Sequence, residues 1–204
     1  MFLYNLNANK YSIATKEVIY ENKKKKIAQR NIKQILINGG IGTVFIVIYG
    51  LTQNYAFLIS AIVSIGGNFV DSVSSDVGTL SRHRPYDFLR RKFVETGISG
   101  GMSVLGTASA FLTSAAMALF AVVAPTGNVR NGCITAALIF AQTLIDSALG
   151  SLIQVKYYDE NCKTINGVEN KYYSGIRWVD NNMVNLISSA IVSVTAIIVF
   201  LILK

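Results

Sequence analysis

Five apolar runs punctuate the chain, at roughly 34–52, 55–80, 99–124, 133–155 and 182–203. Each is close to the ~20 residues with which an α-helix crosses a bilayer. Short connections join the first run to the second and the third to the fourth. Two longer polar loops, about 81–98 and 156–181, join the others. The pattern predicts an all-α, polytopic membrane helical bundle of about five transmembrane helices. A basic N-terminal arm, 1–33, precedes a transmembrane domain, 34–204.

Composition sharpens this picture. Of 204 residues, 51% are hydrophobic and 15% charged, with mean hydropathy +0.42, which excludes an ordinary soluble domain. A net charge of +8 suggests nucleic acid at first sight. The charges, however, lie between the apolar runs. All but Arg130 and Lys204 of the 19 Lys and Arg fall in the arm and the two longer loops. By the positive-inside rule those segments are cytoplasmic and the C-terminus is outside, so topology accounts for the charge and no nucleic-acid partner is expected. The polar start with "ENKKKK" leads us to expect no cleavable signal peptide. Cys133 and Cys162 read as free thiols. Rich Ile, Lys and Asn usage points to an AT-rich prokaryotic genome, and so to a prokaryotic plasma membrane.

Ionisable groups at membrane depth are costly and mark functional sites. They gather in three stretches. In "GGNFVDSVSSDVGTLSRHRP" (66–85), Asn68, Asp71, Ser75 and Gly78 share a helix face, while Asp76 lies about 140° round from Asp71. Such hard oxygen ligands suit Mg²⁺, which takes one or two carboxylates plus substrate phosphates. The plainer reading is a polar helix end with Asp76 paired to a loop arginine. In "RRKFVETGISGGMSVLG" (90–106), basic residues precede a Gly/Ser/Thr turn and a helix start, a combination that holds phosphate. It is not a Walker loop, and topology or lipid headgroups also explain it. In "RWVDNNMVN" (177–185), Asp180, Asn181, Asn182 and Asn185 crowd a helix start, where Asp180 also fits an N-cap and Trp178 an interface anchor.

Lesser features accompany them. Arg30, Gln34 and Asn38 fall at helical spacing, as do Asp146, Gly150 and Gln154, and Asp146 is expected to face the protein interior. His83, the single histidine, reads as a surface residue, and no Ser/His/Asp or Cys/His set can be assembled. Gly106, Ala110 and Ser114 form a small-residue stripe, with Ser103 and Thr107 beside it, suited to helix packing or to a homodimer. Polar groups at depth beside phosphate-binding features suggest an enzyme acting on a lipid phosphate at the cytoplasmic interface.

In this order the motifs resemble the integral-membrane phytyl-phosphate kinase family, first described as a membrane domain of unknown function. That family is distantly similar to dolichol kinases and CDP-diacylglycerol synthases. Its "RN..QVLANGG", "ADTWASE-G-L", "PPGTNGGVSLLGT", "G-L-Q" and "WLDND-VN" correspond to "RNIKQILINGG" (30–40), "VDSVSSDVGTL" (70–80), "VETGISGGMSVLGT" (94–107), "GSLIQ" (150–154) and "WVDNNMVN" (178–185). The resemblance runs from about residue 30 to the C-terminus. Asp76 stands for the family's Glu, Val94 and Glu95 for its prolines, and Asn182 for an acid. The family usually has further apolar segments before the first motif; without them this is expected to be a compact member.

The resemblance implies that 34–204 is a catalytic domain using a nucleoside triphosphate, CTP, and Mg²⁺ to convert an isoprenyl monophosphate (phytyl or geranylgeranyl phosphate) to the diphosphate. Asp71, Asp76 and Ser75 would be catalytic, and Asp71, Asp76 and Asp180 would hold the metal. Arg90, Arg91, Lys92, Thr96, Gly97, Ser99, Gly100, Gly101, Asn181, Asn185 and Asn38 would bind phosphates. The same groups would also suit cytidylyl transfer. A lipid-phosphate or ion transporter is the non-enzymatic rival, and it needs a polar path that the apolar outer halves of spans three and five do not offer.

Overall fold

The computed structural model of the chain describes residues 32–125, 127–158, 164–165 and 171–203. The arm lies outside them apart from the first two residues of the first helix, and so do Cys162 and Lys163. Among the described residues, five helices are long and apolar enough to cross a membrane: α1 (Ile32–Thr52), α2 (Tyr55–Gly78), α3 (Val104–Val123), α4 (Val129–Leu152) and α5 (Asn181–Ile202). The fold is the expected polytopic helical bundle.

Local chemistry sets the helix starts. Asn54, Ser103, Asn128 and Asp180 each stand at an N-cap and accept a backbone N–H of the first turn, at 3.1, 3.1, 2.9 and 2.9 Å. Such caps satisfy donors that the helix itself leaves open. They also correct the bounds read from hydropathy. The third span begins at 104, not 99, because Ser103 caps it. The fourth begins at 129 behind Asn128 and ends at Leu152, before 155.

From Ile37 to Lys204 the chain packs as one unit. α2 is central and packs against α3, α4 and α5, while α3 packs on α4 and α4 on α5. Ile59, Val63 and Val70 of α2 meet Ala110, Ile139, Val192 and Phe200 in the core. Beyond Ile37, α1 lies against α2, with Phe45 stacked on Phe57 at 6.3 Å. Serines join α2 to α5: Ser64 Oγ and Ser189 Oγ are 2.8 Å apart, and Ser60 Oγ donates to the Ser193 carbonyl at 3.0 Å. Small residues also let α3 cross α2 closely. The face Gly106, Ala110, Ser114, Ala118 and Ala121 is buried, with Gly106 against the Ser74 carbonyl and Gly78. The stripe is therefore occupied within the chain. Phe111, Leu112, Leu119 and Phe120, on the other side of α3, are exposed, as a lipid-facing surface should be.

The two longer loops are not featureless. Each carries a small antiparallel sheet at the end of the bundle where α2 and α4 finish and α3 and α5 begin. The first contains β1 (Tyr86–Asp87), β2 (Lys92–Phe93) and β3 (Gly101–Met102), in the order β2-β1-β3. The second contains β4 (Lys156–Tyr158), β5 (Thr164–Ile165) and β6 (Lys171–Ser174), in the order β5-β4-β6. Gly100 fastens the first sheet to α4. Its φ of +90° suits glycine, and a Cβ there would stand 2.5–2.8 Å from Ser151.

Candidate functional site

Two polar assemblies stand near this end of the bundle. The deeper one sits about two to three helical turns inside the ends of α2 and α4. α2 and α4 run in the same direction, so equal steps along each stay level. Gln142 Nε2 donates to Asn68 Oδ1 at 3.0 Å, and Asn68 Nδ2 donates to the Asn38 carbonyl at 2.7 Å. Gly67 leaves the space that the Gln142 amide fills.

One turn further on, Asp71 and Asp146 come close enough to interact electrostatically. Ser188 Oγ donates to Asp146 Oδ1 at 3.0 Å. Asn185, with its amide nitrogen turned toward acceptors, donates to the same oxygen at 3.0 Å and to the Asn181 carbonyl at 3.1 Å. Among the described residues no donor reaches Asp146 Oδ2. Among the described residues no donor reaches the Asp71 carboxylate, and the ion pair found is elsewhere, Arg84–Glu95 at 3.4 Å. Two interacting carboxylates without a basic partner among the described residues are costly unless a cation or a proton accompanies them.

The metal implied by the resemblance can be tested on this donor set. Asp71, Asp76 and Asp180 do not assemble. Among the described residues no group of three or more His, Cys, Asp or Glu forms a metal cluster. Asp76 is exposed, as its 140° offset dictates. Asp180 is spent on its cap, with Oδ1 on Met183 N–H at 2.9 Å and Oδ2 accepting from Asn182 at 3.2 Å. Asp71 with Asp146 does fit Mg²⁺, which needs one or two protein carboxylates when phosphates complete its shell.

The second assembly is a cleft of about 160 Å³ between the two sheets, lined by Asp87, Arg90, Lys92, Glu95, Lys156 and Tyr173 among others. Asp87 is buried and accepts three hydrogen bonds. Its Oδ1 accepts from the Leu89 and Arg90 N–H groups at 3.1 and 2.9 Å, and its Oδ2 accepts from Ser151 Oγ at 2.6 Å. Lys156 is also buried, with only 1% of its surface exposed. Its Nζ donates to the carbonyls of Gly150 and Ser151, at 2.5 and 3.1 Å, on the last turn of α4. Burial lowers the Lys156 pKa to about 8. The Arg90 charge adds to that effect, Asp87 partly opposes it, and Lys92 lowers it further. Gly150 stands four residues beyond Asp146, about 6 Å of helix rise, so the cleft and the carboxylate pair are neighbours along α4.

The expected site residues therefore divide. Asp71, Asn38 and Asn185 meet in the deeper cluster, and Arg90 and Lys92 line the cleft. Arg91 is exposed, with φ +52°, and stays outside the cleft. Ser75 is exposed and Ser74 turns inward instead, because Gly106 packs on the Ser74–Gly78 side of α2. Thr96 and Gly97 are exposed in the turn, while Ser99 and Gly100 pack on Gly150 and Ser151. Gly101 pairs with Asp87 in the sheet. The start of α3, the expected phosphate seat, is filled by the Ser103 hydroxyl. Asn181 is exposed in the first turn of α5, where its carbonyl meets Asn185. Sequence reasoning did not place Lys156, Asp87, Ser188 or Gln142 in a site. Lys156 carries a signal, being a lysine four residues past the last residue of α4, but charge counting alone assigns it to topology.

A family model described as "Integral membrane protein DUF92" matches residues 2–193. The chain is similar to an uncharacterized membrane protein of Methanocaldococcus jannaschii, 31% identical over 62% of this chain and 52% of that protein. The chain thus spans about half the length of this curated relative. No solved structure matches the chain.

Proposed function

The chain belongs to the DUF92 family of integral membrane proteins, and we propose that it is a membrane-embedded, CTP-dependent kinase that converts an isoprenyl monophosphate to the diphosphate. The observation that carries this reading is the unpartnered Asp71 carboxylate beside Asp146, one helical turn below a cleft that presents Arg90, Lys92 and Lys156. A carboxylate pair inside the bundle would hold Mg²⁺, which when bound neutralises phosphate oxygens. The cleft offers basic groups to the remaining phosphate charge. Both stand on the side to which the positive-inside rule assigns the cytoplasm, where nucleotide is available. The prenyl chain would lie among the apolar helices.

The chemistry asks little of a base. An oxygen of the acceptor phosphate is already nucleophilic. It bonds to the γ-phosphorus of CTP as the bond to the β,γ-bridging oxygen breaks, and CDP leaves. The chain contributes positioning and charge neutralisation. Asn185 and Ser188 hold Asp146 in orientation through their hydrogen bonds to Oδ1.

The test uses purified full-length protein with CTP, Mg²⁺ and phytyl or geranylgeranyl phosphate, reading released nucleotide. CDP is expected. Asp71→Asn and Asp146→Asn should each lower kcat by about 100-fold or more. Undiminished turnover in both variants, or no CDP with either acceptor, would overturn the reading. Pyrophosphate in place of CDP would assign cytidylyl transfer instead.

A further inference from the structure

We infer that the cleft between the two sheets is a phosphate-anion subsite, in which Lys156, Arg90 and Lys92 bind the anion and Asp87 is a positioning residue. The existence of the subsite stands on its own geometry. Its occupant, the phosphate chain of a nucleoside triphosphate, rests on the kinase reading above.

Capping α4 explains the two hydrogen bonds of Lys156. It does not explain why two further cations share its cleft. Asp87 is the acid nearest at hand, yet its oxygens are taken by two backbone N–H groups and by Ser151. Those bonds fix the turn that presents Arg90, and in the lining three cations, Arg90, Lys92 and Lys156, stand against two acids, Asp87 and Glu95. Glu95, also in the lining, pairs with Arg84. An ammonium has three protons to donate. Two are used on carbonyls, and among the described residues the third has no acceptor, so it is offered to a ligand. The cations oppose one another, as the depressed pKa of Lys156 records, and a bound polyanion relieves that opposition. The cavity, about 160 Å³, admits phosphate groups, and Tyr173 closes it from the second sheet. Neither sheet makes the site alone. Arg90 and Lys92 come from the loop after α2, and Lys156 and Tyr173 from the loop after α4.

The experiment measures binding of inorganic tripolyphosphate to the full chain in phosphatidylcholine nanodiscs, by calorimetry. Wild type should bind, and Lys156→Met should weaken binding about tenfold or more, one charge-assisted contact being worth that much. The groups facing Lys156 are Asp87, Arg90, Lys92, Glu95 and Tyr173. Its own deprotonation should weaken wild-type binding between pH 7 and 9.5 relative to Lys156→Arg, which keeps its charge across that range. Asp87→Asn should weaken binding without abolishing it, through misplacement of Arg90. Should Lys156→Met not fold, Lys92→Gln and Arg90→Gln carry the test. No binding by wild type, or wild-type affinity in the Lys156 and Arg90 variants, overturns the assignment.

Phosphatidic acid in the nanodisc separates the sources of phosphate. Unchanged tripolyphosphate binding assigns the cleft to a water-borne polyphosphate, and displacement assigns it to a lipid headgroup. The two proposals fail separately. Lys156-dependent tripolyphosphate binding without turnover of any nucleotide removes the kinase reading alone. Turnover with an unchanged KM for CTP in Lys156→Met removes the nucleotide from the cleft alone.

Discussion

At the residue scale, the pairing of charges decides what each does. Asp71 stood out in the sequence because an acid in an apolar run is costly. Its proper partner did not stand out: 75 residues separate it from Asp146, and helical spacing relates only residues on one helix. Asp146 was legible as facing inward, but its meeting with Asp71 depends on α2 and α4 lying parallel and level. Lys156 was less legible still. Its burial comes from β4 closing onto the end of α4, a contact that charge counting cannot see. That burial has a measurable consequence. With its pKa lowered from 10.5 to about 8 in the fold, both states hold the proton below about 8, and the cost of burying the charge is fully present. Between about 8 and 10.5 only the unfolded chain holds it, so stability rises with pH across that window. Thermal unfolding in detergent at pH 7.5 and 9.5 should show a gain in Tm for wild type relative to Lys156→Met. Equal shifts in the two proteins would refute the linkage.

At the element scale, close helix crossings hold the site. α3 reaches α2 at Gly106, where a Cβ would lie 2.9 Å from the Ser74 carbonyl and 3.1 Å from the Gly78 Cα. Both neighbours are backbone, so neither can swing aside. Gly106→Val should therefore cost about 1–3 kcal/mol through overpacking, read as a lower unfolding midpoint. Gly50→Ala in α1 makes the control. A Cβ there meets nothing within 4 Å, and helix propensity alone should add about 0.5–1 kcal/mol of stability. Equal loss in both variants would refute the crossing as the cause, since helix propensity favours both substitutions. The stripe carrying Gly106 was readable from its four-residue spacing. The helices were readable too, since a run of ~20 apolar residues admits few alternatives. The sheets were not. Strands of two to four residues are too short to show alternation, and their register is set by Gly100 on Ser151 and by the Asp87 turn, both fixed by long-range packing.

At the scale of the whole molecule, charge asymmetry and site location are one arrangement. The basic loops that would keep their end of the bundle in the cytoplasm are the loops that build the cleft, so Arg90, Lys92 and Lys156 serve topology and ligand together. The nucleotide side of the proposal therefore has a geometric condition: the loop after α2 must face the cytoplasm, and the turn between α1 and α2 must not. Single cysteines at Thr52 and at Arg82, both exposed, test this in a background of Cys133→Ser and Cys162→Ser. An impermeant maleimide applied to intact cells should label Thr52→Cys at once and Arg82→Cys only after permeabilisation. The reverse pattern would put the cleft outside, where cytoplasmic CTP cannot reach it, and would remove the kinase reading even if the carboxylate pair binds metal. Labelling of both from outside would instead mean mixed orientation, which an excess of Lys and Arg this one-sided should prevent.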